Sequence, residues 1–144
     1  MAHAENQTTI SRAPEDVYAF LADGLNNVKW RSGIQNIALK SGTPGDVGAV
    51  YSQTLTGPGG RPITGDYEIT TADPGKHLAF QVVAGPARPV GTYRLSEAPG
   101  GTTVLFSLDL HPKGLMKLVG PVIVRTMNAE VAQLSKLKIV LESA

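Results

Sequence analysis

With 144 residues and no cysteine, the chain has the length of one domain, enough to bury roughly 70% of its unfolded surface without a disulfide or a thiolate metal site. The 13 Lys and Arg against 12 Asp and Glu leave a net charge of +1, too weak a field to favour nucleic acid as a partner. Met1 to Thr9 is polar and no later apolar run is long enough to span a bilayer, so neither a signal peptide nor an integral membrane segment is expected, and a cytoplasmic location is.

The chain opens with a short edge strand expected near Thr8 to Ser11, preceded by a tail that holds His3. Pro14 suits a first helical position, Glu15 and Asp16 suit the positive end of a helix dipole, and Val17, Phe20 and Leu21 form an apolar stripe that ends near Asp23-Gly24. A short irregular or helical piece then carries Trp30.

From residue 35 to 111, turn clusters cut the chain into six strand-length pieces. They are Ser41 to Asp46, Gly57 to Gly60, Asp73-Pro74-Gly75, Gly85 to Pro89 and Pro99-Gly100-Gly101. No helical pattern separates the pieces, which predicts an antiparallel meander. Period-two alternation assigns the inner face: Ala49, Tyr51, Gln53 and Leu55; Ile63, Gly65, Tyr67 and Ile69; Leu78, Phe80 and Val82; Gly91, Tyr93 and Leu95; Val104, Phe106, Leu108 and Leu110. Asp66, Glu68, His77 and Asp109 fall on the outer face by the same parity.

The last segment places Leu115, Val119, Val122, Ile123, Met127, Val131, Leu134, Leu137 and Leu141 at helical spacing. A break or kink is expected at Gly120-Pro121, then an unbroken helix to about Leu141. A one-sided sheet must bury its apolar face, and this is the one element long enough to cover it. The predicted fold class is α+β: about seven antiparallel strands curved around a long C-terminal helix, in one domain over residues 1–144.

This order resembles the polyketide cyclase/dehydrase-like branch of the START-related helix-grip superfamily. The residues that carry the likeness are Ala13-Pro14-Glu15-Asp16-Val17, Asp23 followed by Trp30, Val47-Gly48, Asp73-Pro74-Gly75, Gly100-Gly101-Thr102 and the ending from Leu134 to Glu142. They span nearly the whole chain as a diffuse pattern without a catalytic signature. The resemblance implies a cavity between sheet and helix that takes sterols, lipids, quinones, plant hormones or polyketides, and it puts Trp30 at the pocket mouth.

The inner face supports such a cavity, because a solid core would favour Leu, Ile and Val over the polar tips of Tyr51, Gln53, Tyr67 and Tyr93. The ligand-binding set expected from face and helix spacing is Tyr51, Gln53, Tyr67, Phe80, Tyr93, Phe106, Leu108, Val122 and Met127, to which the resemblance adds Trp30. A small apolar molecule is the expected partner, with no cofactor. His3, His77 and His111 are scattered without paired ligand spacing, so no metal is assigned.

Three functions stay open. Binding without chemistry leads, because parity leaves tyrosines as the ionisable groups inside, and a phenol with a pKa of about 10 is a poor base. A cyclase or dehydratase using the same cavity is the second, with His111 or Arg31 as groups at its mouth. The third is a protein-interaction module, since a related branch activates a heat-shock chaperone; a homodimer is compatible with any of these.

Overall fold

The computed structural model describes residues 2–85, 87–111 and 120–143. Among them, eight strands form one curved antiparallel sheet: β1 (Ala2–Ile10), β2 (Ile34–Ser41), β3 (Val50–Thr56), β4 (Pro62–Thr64), β5 (Tyr67–Asp73), β6 (His77–Val82), β7 (Val90–Ala98) and β8 (Gly101–Leu110). The spatial order is β1-β8-β7-β6-β5-β3-β2, with β4 paired to β3 alone. Three α-helices, α1 (Pro14–Ala22), α2 (Gly120–Val131) and α3 (Leu134–Glu142), and 3-10 turns over Gly24–Lys29 and Pro58–Gly60 are the other elements of the described residues.

The register follows from alternation, since a one-residue slip would turn every side chain to the other face. In β8 the even positions Thr102, Val104, Phe106, Leu108 and Leu110 are all buried and the odd ones are not. Its partners pair Tyr93 with Phe106 and Leu95 with Val104, so β7 buries the same face. Helix α1 starts with Pro14 in its first turn beside Glu15 and Asp16, as the sequence predicts, and buries Val17, Tyr18, Leu21 and Ala22.

Three expectations are corrected. The first strand begins at Ala2, not Thr8, and its nine residues pair with β8 from Ala2↔Leu110 to Ile10↔Thr102. His3 is therefore held in the sheet, with Nδ1 2.6 Å from the Asp109 carboxylate. The small buried residues Ala2 and Ala4 carry the inner face there, and among polar neighbours they read as a tail.

The second correction concerns Asp66. The run expected as one strand from Ile63 to Ile69 is split between β4 and β5, and the parity lapses at Gly65-Asp66. Asp66 is only 8% exposed, and its Oδ1 accepts from the Gln53 backbone N–H at 3.1 Å. Its other oxygen lies 3.7 Å from Lys40 Nζ.

Third, the C-terminal helix is not continuous to Leu141. Asn6 Nδ2 donates to the Val131 carbonyl at 3.2 Å, which takes a helix acceptor out of use. Gln133, Ser135 and Lys136 bond three residues back instead of four, so a tightened turn separates α2 from α3. The expected helical positions Leu115 and Val119 lie outside the described residues, as does the chain just before the expected kink at Gly120-Pro121.

One glycine shapes the interior. Gly91 pairs with Phe80, and a Cβ added there would lie 2.1 Å from Phe80 Cζ, so the ring rests directly on the backbone of β7. Gly91→Ala is therefore expected to push Phe80 off its seat and to cost about 1–3 kcal/mol by overpacking, read as a lower urea midpoint at unchanged slope.

Candidate ligand cavity

One aromatic ring from each of five strands forms a row across the inner face. Centroid distances are 5.2 Å for Tyr51–Tyr67, 5.2 Å for Tyr67–Phe80, 6.0 Å for Phe80–Tyr93 and 4.5 Å for Tyr93–Phe106. Trp30 meets the end of the row edge-on, 6.2 Å from Phe106 and 6.3 Å from Tyr93. These geometries lie in the range where aromatic pairs gain beyond simple area burial.

Beside the row, touching it at Phe80, lies a cavity of about 280 Å³. Leu55, Ile63, Phe80, Val82, Leu108 and Leu110 wall it from the sheet, and Ile123, Thr126, Met127 and Glu130 wall it from α2. Val122 stands at its rim, 56% exposed. Arg31 and Phe80 line this cavity and also a second space of about 10 Å³, bounded by Asn27, Tyr67 and Tyr93 among others and large enough for about one water.

The expected site residues thus divide. Gln53, Phe80, Leu108, Val122 and Met127 line the large cavity. Tyr67 and Tyr93 line only the small one, while Trp30, Tyr51 and Phe106 line neither. Two of the tyrosine hydroxyls are engaged elsewhere: Tyr51 Oη accepts from Gly45 N at 3.2 Å, and Tyr67 Oη accepts from Asn27 Nδ2 at 3.0 Å. A Cβ at Gly24 would fall 2.1 Å from that same Tyr67 oxygen, so only glycine lets the 3-10 turn sit on the tyrosine pair.

The charges of the cavity are the part that parity missed. Arg31 donates to Glu130 across the cavity wall, its side chain 12% exposed and that of Glu130 30%. The guanidinium also lies 5.8 Å from the Trp30 ring and 5.9 Å from Phe106. Burial alone would lower the Arg31 pKa, but the Glu130 carboxylate more than reverses this and the value is raised. Tyrosines are therefore not the sole ionisable groups inside. The available signal was Glu130 at three residues from Met127 on the apolar helix face, a spacing that points both inward.

Burial pushes Tyr93 up to about 12 against the pull of Arg31, and burial together with Tyr93 and Tyr51 raises Tyr67 as well. These phenols are neutral hydrogen-bonding groups at physiological pH.

A curved antiparallel sheet closed on a C-terminal helix over an internal cavity is the helix-grip arrangement. The chain belongs to the polyketide cyclase / dehydrase and lipid transport family, whose profile matches residues 1–142. No curated protein sequence is close enough to match. Among solved structures, it is similar to a protein of Thermus thermophilus at 15% identity and a TM-score of 0.81, covering 98% of this chain and 97% of that one. A START superfamily protein of Mycobacterium smegmatis is 11% identical with a TM-score of 0.81, covering 99% of each chain. The di-domain ARO/CYC protein StfQ of the steffimycin biosynthetic pathway gives 13% and 0.81, covering 99% of this chain and 51% of that one. At these identities the likeness is one of fold.

The tyrosine shifts give a pH prediction. A phenol whose pKa is higher folded than unfolded keeps its proton in the native state while the unfolded chain loses it, so stability falls as pH rises from about 10 to about 12. Tyr93→Phe should remove up to about 2–3 kcal/mol of that alkaline loss, seen by comparing urea midpoints near pH 8 with those above pH 11. An alkaline limb as steep as in the unmodified protein would show that Tyr93 is not responsible.

Proposed function

We propose that the protein binds a small hydrophobic molecule in the 280 Å³ cavity between the sheet and α2. The observation that carries this reading is the cavity itself: an apolar-walled space with few polar groups, in a fold where a filled core would leave none. Gln53, Phe80, Leu108, Val122 and Met127 are the direct contacts, and Trp30, Tyr51, Tyr67, Tyr93 and Phe106 are the rigid ring layer behind them. Lipids, sterols, quinones and polyketides are the candidate classes, in keeping with the family's description. The ligand enters without a cofactor. Among the described residues no helix is long and apolar enough to cross a membrane.

A cyclase-type reaction in the same cavity is the second reading. Arg31 favours it, as a buried cation beside the space where a carbonyl oxygen would gather charge.

Calorimetric titration with representatives of these classes tests the binding reading. At least one should bind one to one with a negative heat-capacity change, the mark of apolar burial. Ile123→Trp, which places a ring in the cavity from α2, should abolish that binding while the protein stays folded by circular dichroism. Absence of binding across the panel, or binding untouched by Ile123→Trp, would remove the cavity from consideration.

A further inference from the structure

Two polar atoms on cavity-lining side chains have no hydrogen-bond partner among the described residues: Gln53 Oε1, an acceptor, and Arg31 Nε, a donor. Gln53 is 4% exposed. Its Nε2 donates to the Gly65 carbonyl at 3.0 Å, so the amide cannot be reversed without facing oxygen against oxygen. A Cβ at Gly65 would press to 2.7 Å from Leu55 Cδ1, so glycine is what lets that carbonyl approach the amide. The oxygen left over has no donor among the described residues. Arg31 spends one nitrogen on Glu130 and is held among the Trp30 and Phe106 rings, with Nε buried and unanswered.

Orphaned buried polar atoms are rare and cost stability unless something completes them. Two of opposite hydrogen-bonding sense on the walls of one cavity point to an occupant that answers both. Among the described lining residues, Arg31 and Glu130 carry the only charges, and they neutralise each other. A ligand with a net charge would be buried without a counter-charge.

Resting on the reading that this cavity is the ligand site, we infer that the ligand is uncharged and meets the protein at two polar points. Arg31 donates to a carbonyl-type oxygen of the ligand, and Gln53 Oε1 accepts from a hydroxyl on the same apolar frame. Neither atom is exposed in this structure, so each contact forms with a shift of its side chain, which for Gln53 must keep Nε2 on the Gly65 carbonyl.

Five probes on one bicyclic frame test this by calorimetry on the unmodified chain: tetralin, tetralone, tetrahydronaphthol, a phenolic hydroxytetralone and a tetralin carboxylate. Each oxygen of the neutral probes is expected to tighten binding about tenfold over tetralin, with hydroxytetralone tightest and the carboxylate weakest. Gln53→Met should erase the gain from the hydroxyl and leave the gain from the carbonyl. Hydroxytetralone binding no tighter than tetralin would overturn the inference while leaving the apolar cavity as a binding site. So would a hydroxyl gain that survives Gln53→Met, or a carboxylate that binds tightest. No binding by any of the five would count against the cavity reading itself. The probe series needs no variant, so it decides the matter even if Gln53→Met fails to fold.

Discussion

The structure depends on covering a row of five aromatic rings on one face of a sheet. Rings of this size cannot be left to water, and no side chain of the sheet itself can lie over them. The covering comes from two sides. Helices α2 and α3 pack over β1, and α2 reaches β8, while α1 contacts β7 and β8 from the other end. Among the described residues, Ile123, Thr126 and Met127 of α2 line the same space as Leu55 of β3, Ile63 of β4 and Phe80 and Val82 of β6. Gly91 lets Phe80, one wall of this space, lie against the backbone of its neighbouring strand.

The Arg31–Glu130 pair ties these covers together. It links the segment just after the 3-10 turn to the last turn of α2, and Gln133 repeats the link at the surface through Ser32. A part-buried pair of this kind gives little net stability, because desolvating two ions offsets most of their attraction. Its effect is positional. Removing either partner would leave the other in an apolar wall, so the two segments are held in one arrangement and the cavity keeps one shape.

What could be read from the sequence follows from how local each cause is. Phe80, Tyr93 and Phe106 were assignable to the inner face because alternation is a property of each strand alone. The short helix was legible from Pro14, Glu15 and Asp16 for the same reason. Asp66 was misplaced because the split between β4 and β5 interrupts the parity, and the pairing of β4 with β3 alone leaves no trace in the strand pattern. The turn between α2 and α3 depends on Asn6, 125 residues from the carbonyl it captures. The Arg31–Glu130 contact spans 99 residues. A contact made by such a pair is invisible to periodicity, which explains why Gln53 and Arg31 could be named from the sequence while Glu130 and its pairing with Arg31 could not.

That polar end also bears on whether the cavity does chemistry. A fold of this kind can host either binding or catalysis, so the decision rests on the site's residues. A general base must be free to take a proton from a bound molecule. Glu130 is the carboxylate that lines the cavity among the described residues, and it already holds Arg31. Protonating it would strand a guanidinium between Trp30 and Phe106 with Nε already unanswered. The same pair that joins the two segments therefore leaves Glu130 engaged with Arg31 and not free to act as a base.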